Sequence, residues 1–121
     1  MSPFSVHDRL KSFQRALSGL HRFVLVERSG WIVAIVSLAV VAMGLYVGIA
    51  AGHWRWIVLS VALVLVAEAL NSAIERLGDA VTTDHNPYIG YAKDLGAAAV
   101  LAAVIAALLI WLTIFIPYLK R

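Results

Sequence analysis

Apolar and polar positions divide this chain into one amphipathic segment and three long apolar stretches. In residues 5–28, Val6, Leu10, Phe13, Leu17, Leu20 and Val24 recur at spacings of four and three, within an arc of about 80° at 100° per residue. Lys11, Arg15, Ser18 and Arg22 fall on the opposite side. The pattern predicts a helix lying in a membrane surface, its apolar stripe in lipid and its basic face toward phosphates. The competing reading is an amphipathic helix packed on its own protein. Residues 31–51 carry no charge and are long enough to cross a ~30 Å hydrocarbon core as a helix. A cleaved signal peptide is a poorer reading, because the apolar region is too long and begins too far along the chain.

Two further spans are predicted: 57–77, interrupted by Glu68 and Glu75 and followed by Asp79, and 95–118, which is free of charge. Gly52-His53-Trp54-Arg55-Trp56 reads as a tight hairpin with two Trp residues suited to an interface belt. The polar stretch 78–93, containing Asp84, His85, Asn86 and Pro87, reads as a loop. Small residues in the third span (Gly96 to Ala99, Ala102, Ala103, Ala106 and Ala107) predict close helix packing rather than chemistry.

Composition turns this pattern into a class. The chain has 121 residues, 62% apolar and 14% charged, against about 25% charged in a typical soluble domain. A soluble globule could not be clothed from so few polar groups. The absence of cysteine excludes a disulfide scaffold and a zinc-thiolate module. What remains is a single integral membrane domain, 1–121, of all-α class. Arg9, Lys11, Arg15, Arg22 and Arg28 outweigh Asp8 and Glu27, so the formal charge of +3 sits before the first span. That excess suits an anionic lipid leaflet, not nucleic acid. By the positive-inside rule it places the N-terminus in the cytoplasm, with the polar stretch 78–93 on the same side and Lys120 and Arg121 outside.

Candidate chemistry lies on the second span. Glu68, Asn71, Ser72, Glu75 and Asp79 fall within an arc of about 100°, a polar ladder on one helix face. A carboxylate inside a span costs roughly 2.5–3.5 kcal/mol on insertion scales, and several on one face point to function. Pairing of single acids with Arg76 or an N-terminal Arg would explain one of them, not the set. The ladder runs from mid-membrane toward water, as a reaction between a lipid and a soluble substrate requires. The deeper carboxylate could take a proton from a lipid hydroxyl, and the shallower ones could hold Mg²⁺, which prefers hard oxygen ligands. A nucleotide-binding Gly-rich loop is absent. Phosphoryl transfer needs positioning, metal and positive charge, and Lys93 near the start of the third span could supply that charge beside a helix N-terminus.

The segment Glu68-Ala-Leu-Asn71-Ser72-Ala-Ile-Glu75-Arg-Leu-Gly-Asp79, followed by Ala92-Lys93-Asp94, resembles the signature of the bacterial diacylglycerol kinase family, small membrane lipid kinases that include the undecaprenol kinases. The resemblance covers nearly the whole chain, including Gly19 and Glu27. It implies a homotrimer of three-span subunits with a surface helix and active sites shared between subunits. It implies ATP as phosphoryl donor, Mg²⁺ as cofactor and a bacterial inner-membrane location. Position by position, Glu68 matches the catalytic base and Asn71 an active-site asparagine beside Ser72. Glu27 and Glu75 match a metal-binding pair, and Asp79, Lys93 and Asp94 match nucleotide and phosphate contacts. Arg9 or Arg15 matches an N-terminal basic position.

This sequence departs from the family pattern at three places. Gly78 stands where Val is usual, and Asn86-Pro87-Tyr88 replaces a loop that usually begins with His, His85 lying one residue early. Tyr91 lacks a positive charge that some relatives carry. The expected consequence is altered nucleotide affinity. Diacylglycerol is the favoured acceptor, with undecaprenol the alternative, since both present one hydroxyl on an apolar body. Outside catalysis, a proton-coupled exporter would use an intramembrane Glu, but it predicts an isolated carboxylate and usually an even number of spans.

Overall fold

A computed structural model describes residues 5–121, in four helices: α1 (Val6–Val26), α2 (Arg28–Val47), α3 (Ala51–Val81) and α4 (Pro87–Leu119). Residues 1–4 of the assigned domain lie outside the described residues. The all-α reading holds, and α2, α3 and α4 are each long and apolar enough to cross a membrane. Only 11%, 11% and 17% of their most apolar stretches is buried within the chain, so most of that surface is left for hydrocarbon or other copies.

α1 follows its predicted bounds closely and keeps its stripe outward: Val6, Leu10, Phe13, Leu17 and Leu20 are 45–74% exposed. It ends at Glu27, whose extended backbone (φ −75°, ψ 134°) breaks α1 from α2. Gly30 makes the bend possible. A Cβ there would overlap the Phe23 carbonyl, and Phe23 is the buried residue of α1.

Two expected connectors are corrected. The hairpin assigned to 52–56 is already the first part of α3, and the actual turn is residues 48–50. Gly48 turns the chain in the left-handed region (φ 74°), which costs glycine nothing, and donates its N–H to the Gly44 carbonyl. Trp54 consequently stands on α3 and is half-buried. It lies against Gly44, where a Cβ would come within 2.8 Å of its ring, while Trp56 remains exposed. The loop assigned to 78–93 contracts to 82–86. Asn86 accepts hydrogen bonds from the Tyr88 and Ile89 N–H groups, and Pro87 occupies the first helical turn. An Asn-Pro pair is a helix start as well as a loop signal, because the side chain satisfies N–H groups that the first turn leaves free.

α3 and α4 form the main antiparallel contact. Gly96, Ala103, Ala107 and Ile114 are buried on α4, and Ile57 and Ser60 on α3. Ser60 is fully buried, accepts from Trp111 Nε1 at 2.8 Å and donates to the Ile57 carbonyl at 2.9 Å. At the turn end, Ile49, Ile57 and Ile114 cluster, and Tyr118 Oη accepts from the Ala50 N–H at 3.1 Å. Arg121 stacks over the Tyr118 ring at 4.6 Å. This connectivity gathers the start of α2, the end of α3 and the start of α4 at the opposite end.

Candidate functional site

At that opposite end, an open cavity of about 640 Å³ lies between α2 and α3. Glu27, Arg28 and Ser29 face it from the α1–α2 break, and Glu68, Asn71, Ser72, Glu75, Arg76 and Asp79 from α3. The ladder read from helical spacing therefore faces one space, together with the distant Glu27. Glu68 lies roughly 20 Å before the end of α3, at 1.5 Å per residue, and marks the deep end of the polar wall.

Glu68 and Ile32 also line a narrower cavity of about 190 Å³. Apart from Glu68 and Ser37, its walls are apolar, including Val36, Val61, Val104 and Trp111. Val36 and Trp111 border in turn a wholly apolar cavity of about 400 Å³ toward Val47 and Leu119. Glu68 thus stands where a polar chamber meets an apolar path. A hydroxyl on a hydrocarbon body could be presented there from one side and a charged substrate from the other.

Three of the four carboxylates that line the chamber, Glu27, Glu75 and Asp79, are in ion pairs, whereas Glu68 makes none among the described residues. Arg76 Nε and Nη2 both bind Glu27 Oε1. Lys93 Nζ, from α4, donates to Asp79 Oδ1 at 2.6 Å and lies 3.4 Å from Glu75 Oε2. Lys93 sits on the second turn of α4, and the first-turn N–H groups of Tyr88 and Ile89 are already taken by Asn86. With Asp79, Lys93 also borders a small recess that contains His85 and Asn86. Ser72 Oγ and Ser29 Oγ are 3.3 Å apart. Asn71 Oδ1 is buried against Gly96 and has no hydrogen-bond partner among the described residues.

Not every predicted residue converges. Asp94 is exposed and is not among the residues lining the cavity, and Arg9 and Arg15 lie on the exposed first half of α1, also outside it. Sequence reading missed Arg28, Ser29 and Arg76 as lining residues. Arg76 was visible only as a counter-ion for one acid, and Gly96 only as a small packing residue. Among the described residues no group of three or more His, Asp or Glu side chains forms a ready-made metal cage. Glu27 and Glu75 nevertheless put two hard carboxylate donors on one chamber, a donor set that fits Mg²⁺ completed by substrate phosphates and water.

Comparison with known proteins adds an independent finding. The sequence profile of the family described as "Prokaryotic diacylglycerol kinase" matches residues 14–115. The chain is 34% identical over 109 residues to the "Undecaprenol kinase" of Bacillus subtilis (strain 168), covering 90% of this chain and 89% of that protein. It is 30% identical over 118 residues to the "Diacylglycerol kinase" of Helicobacter pylori (strain ATCC 700392 / 26695), covering 92% of each. Identity to the "Diacylglycerol kinase" of Escherichia coli (strain K12) is 48% over 52 residues, and that match spans 43% of each chain, less than half the length of that relative.

Proposed function

The chain belongs to the prokaryotic diacylglycerol kinase family, and from that premise we propose that it transfers the γ-phosphoryl group of ATP to the primary hydroxyl of a membrane lipid. Diacylglycerol, giving phosphatidic acid, is the first acceptor. Undecaprenol is the second, favoured by the match along nearly the whole length of an undecaprenol kinase. The observation that carries the reading is the position of Glu68, shared by the polar chamber and the apolar cavity.

In this proposal the lipid approaches from the bilayer, and its hydroxyl meets the Glu68 carboxylate, which accepts the proton. The hydroxyl oxygen forms a bond to the γ-phosphorus as the bond to the bridging oxygen breaks, and ADP leaves. Asn71 and Ser72, beside Glu68 on α3, orient the reacting groups. Glu27 and Glu75 would hold Mg²⁺, which when bound neutralises and orients the phosphates. Lys93, with Asp79 and Asp94, serves the nucleotide side, and the ammonium offsets charge on the transferring oxygens. Arg9 and Arg15, outside this chain's own chamber, meet substrate at a subunit boundary of the homotrimer that the family resemblance implies. The chamber end faces the cytoplasm, where ATP is, and the spans lie in the bacterial inner membrane.

The test supplies purified protein with labelled ATP and Mg²⁺, and with diacylglycerol or undecaprenol in parallel micelles. Label is expected in a lipid, and the acceptor that takes it faster is the substrate. Glu68→Gln is expected to lower the rate by roughly 10²–10⁴-fold, the range of general-base catalysis. Label in neither lipid, or full rates for Glu27→Gln, Glu68→Gln and Glu75→Gln together, refutes the proposal.

A further inference from the structure

A second open cavity, of about 450 Å³, lies between α1 and α3 next to the polar chamber. Gly19, Arg22 and Phe23 form one wall, and Ala69, Ala73 and Arg76 the other. On α3 these three positions follow one face at spacings of four and three, turned by about 100° from the face of Glu68 and Glu75. The alanines leave room, and so does Gly19, where an added Cβ would meet nothing within 4 Å.

The charge of this cavity is distinctive. Two guanidinium groups face it against one carboxylate, Glu27. Arg22 makes no salt bridge among the described residues, and Arg76 is paired only with Glu27 while its side chain stays 69% exposed. Guanidinium groups bind phosphate oxygens through paired N–H donors. Phe23, Ala69 and Ala73 line the same space with apolar surface, which a freely soluble anion would not require. Gly19 and Arg22 lie on the side of α1 opposite its exposed apolar stripe, so a stripe seated in the membrane surface would leave Arg22 turned toward the headgroup phosphates.

We propose that the α1–α3 cavity binds the phosphate group of an anionic membrane lipid through Arg22 and Arg76, with the start of its hydrocarbon against Phe23, Ala69 and Ala73. Arg76, Glu27 and Ser72 also line the polar chamber. A phosphate that draws Arg76 away therefore frees the Glu27 carboxylate toward that chamber. Binding itself needs no nucleotide and no transfer step, so it stands or falls separately from the kinase reading.

The test embeds the full chain in phosphatidylcholine nanodiscs containing phosphatidate or phosphatidylglycerol, and counts retained lipid by native mass spectrometry without nucleotide. Both anionic lipids present the shared phosphate chemistry. A preference for phosphatidate assigns the site to a phosphomonoester such as a phosphorylated product. Equal retention of the two assigns it to headgroups of the bulk bilayer. Loss of one charge-assisted contact predicts a drop of roughly tenfold in that retention for Arg22→Gln or Arg76→Gln. Gly19→Leu, which fills the space without altering charge and favours the helix, is expected to displace the lipid as well. Retention no better than for phosphatidylcholine overturns the proposal. So does an equal loss for Lys11→Gln, a cation of α1 outside the cavity, because it would make the effect a general property of a basic helix.

Discussion

Replacing Gly96 by alanine tests how the α3–α4 contact holds in place the face of α3 proposed to carry the reaction. Gly96 is buried, and a Cβ on it would lie 2.5 Å from Asn71 Oδ1 and 3.3 Å from Ile74 Cδ1. Ordinary contact requires about 3.5 Å, so the Asn71 amide must retreat by roughly 1 Å. A displacement of that size at a reacting centre can cost roughly 10²-fold in rate, equivalent to about 2.7 kcal/mol of barrier. Stability responds to two opposed terms. Alanine gains about 1 kcal/mol over glycine inside a helix. Overpacking loses about 1–3 kcal/mol. The net expectation for Gly96→Ala is a loss of up to about 2 kcal/mol, with kcat falling far more than the lipid KM changes. Truncating Asn71 removes the obstacle, so Gly96→Ala in an Asn71→Ala background should become stabilising. The assay is lipid phosphorylation in mixed micelles together with thermal unfolding of all four members of the cycle. Unchanged kcat in Gly96→Ala, or the same destabilisation in both backgrounds, would refute the reasoning.

Two further predictions concern the frame that carries the site. Ser60→Ala leaves the indole N–H of Trp111 without its acceptor in an apolar interior, and should lower stability in detergent by about 1–3 kcal/mol; an unshifted unfolding midpoint would show that the bond contributes nothing. Gly48→Ala forces a side chain into the left-handed turn between α2 and α3, and about 1–2 kcal/mol of destabilisation should appear in the same measurement.

Much of the fold was legible because helical periodicity and hydrocarbon thickness are local constraints. The amphipathic face of α1, the number of spans and the shared face of Glu68, Asn71, Ser72, Glu75 and Asp79 all follow from residue spacing. Connectors were less legible. Polar residues at the water-facing ends of α3 and α4 need not leave a helix, so Gly78 to Val81 and Pro87 to Lys93 remain helical where polarity suggested a loop. In the same way, Gly52 to Trp56 reads as a turn by composition, yet the turn falls at Gly48, whose backbone alone among the described residues takes a positive φ.

The sequence by itself determined an all-α membrane chain with a basic surface helix and a costly row of carboxylates, because lipid admits little else. Only the tertiary structure decided what that row faces. It brings Glu27 across from the α1–α2 break into an ion pair with Arg76, and turns Lys93 onto Glu75 and Asp79. It sets Gly96 against Asn71 and opens an apolar cavity at Glu68. The physical reason is that spacing specifies the angle of a residue on its own helix. Contact depends on the rotation and separation of two helices, which the packing of Gly30, Gly44, Gly96, Ala103 and Ala107 sets across the bundle.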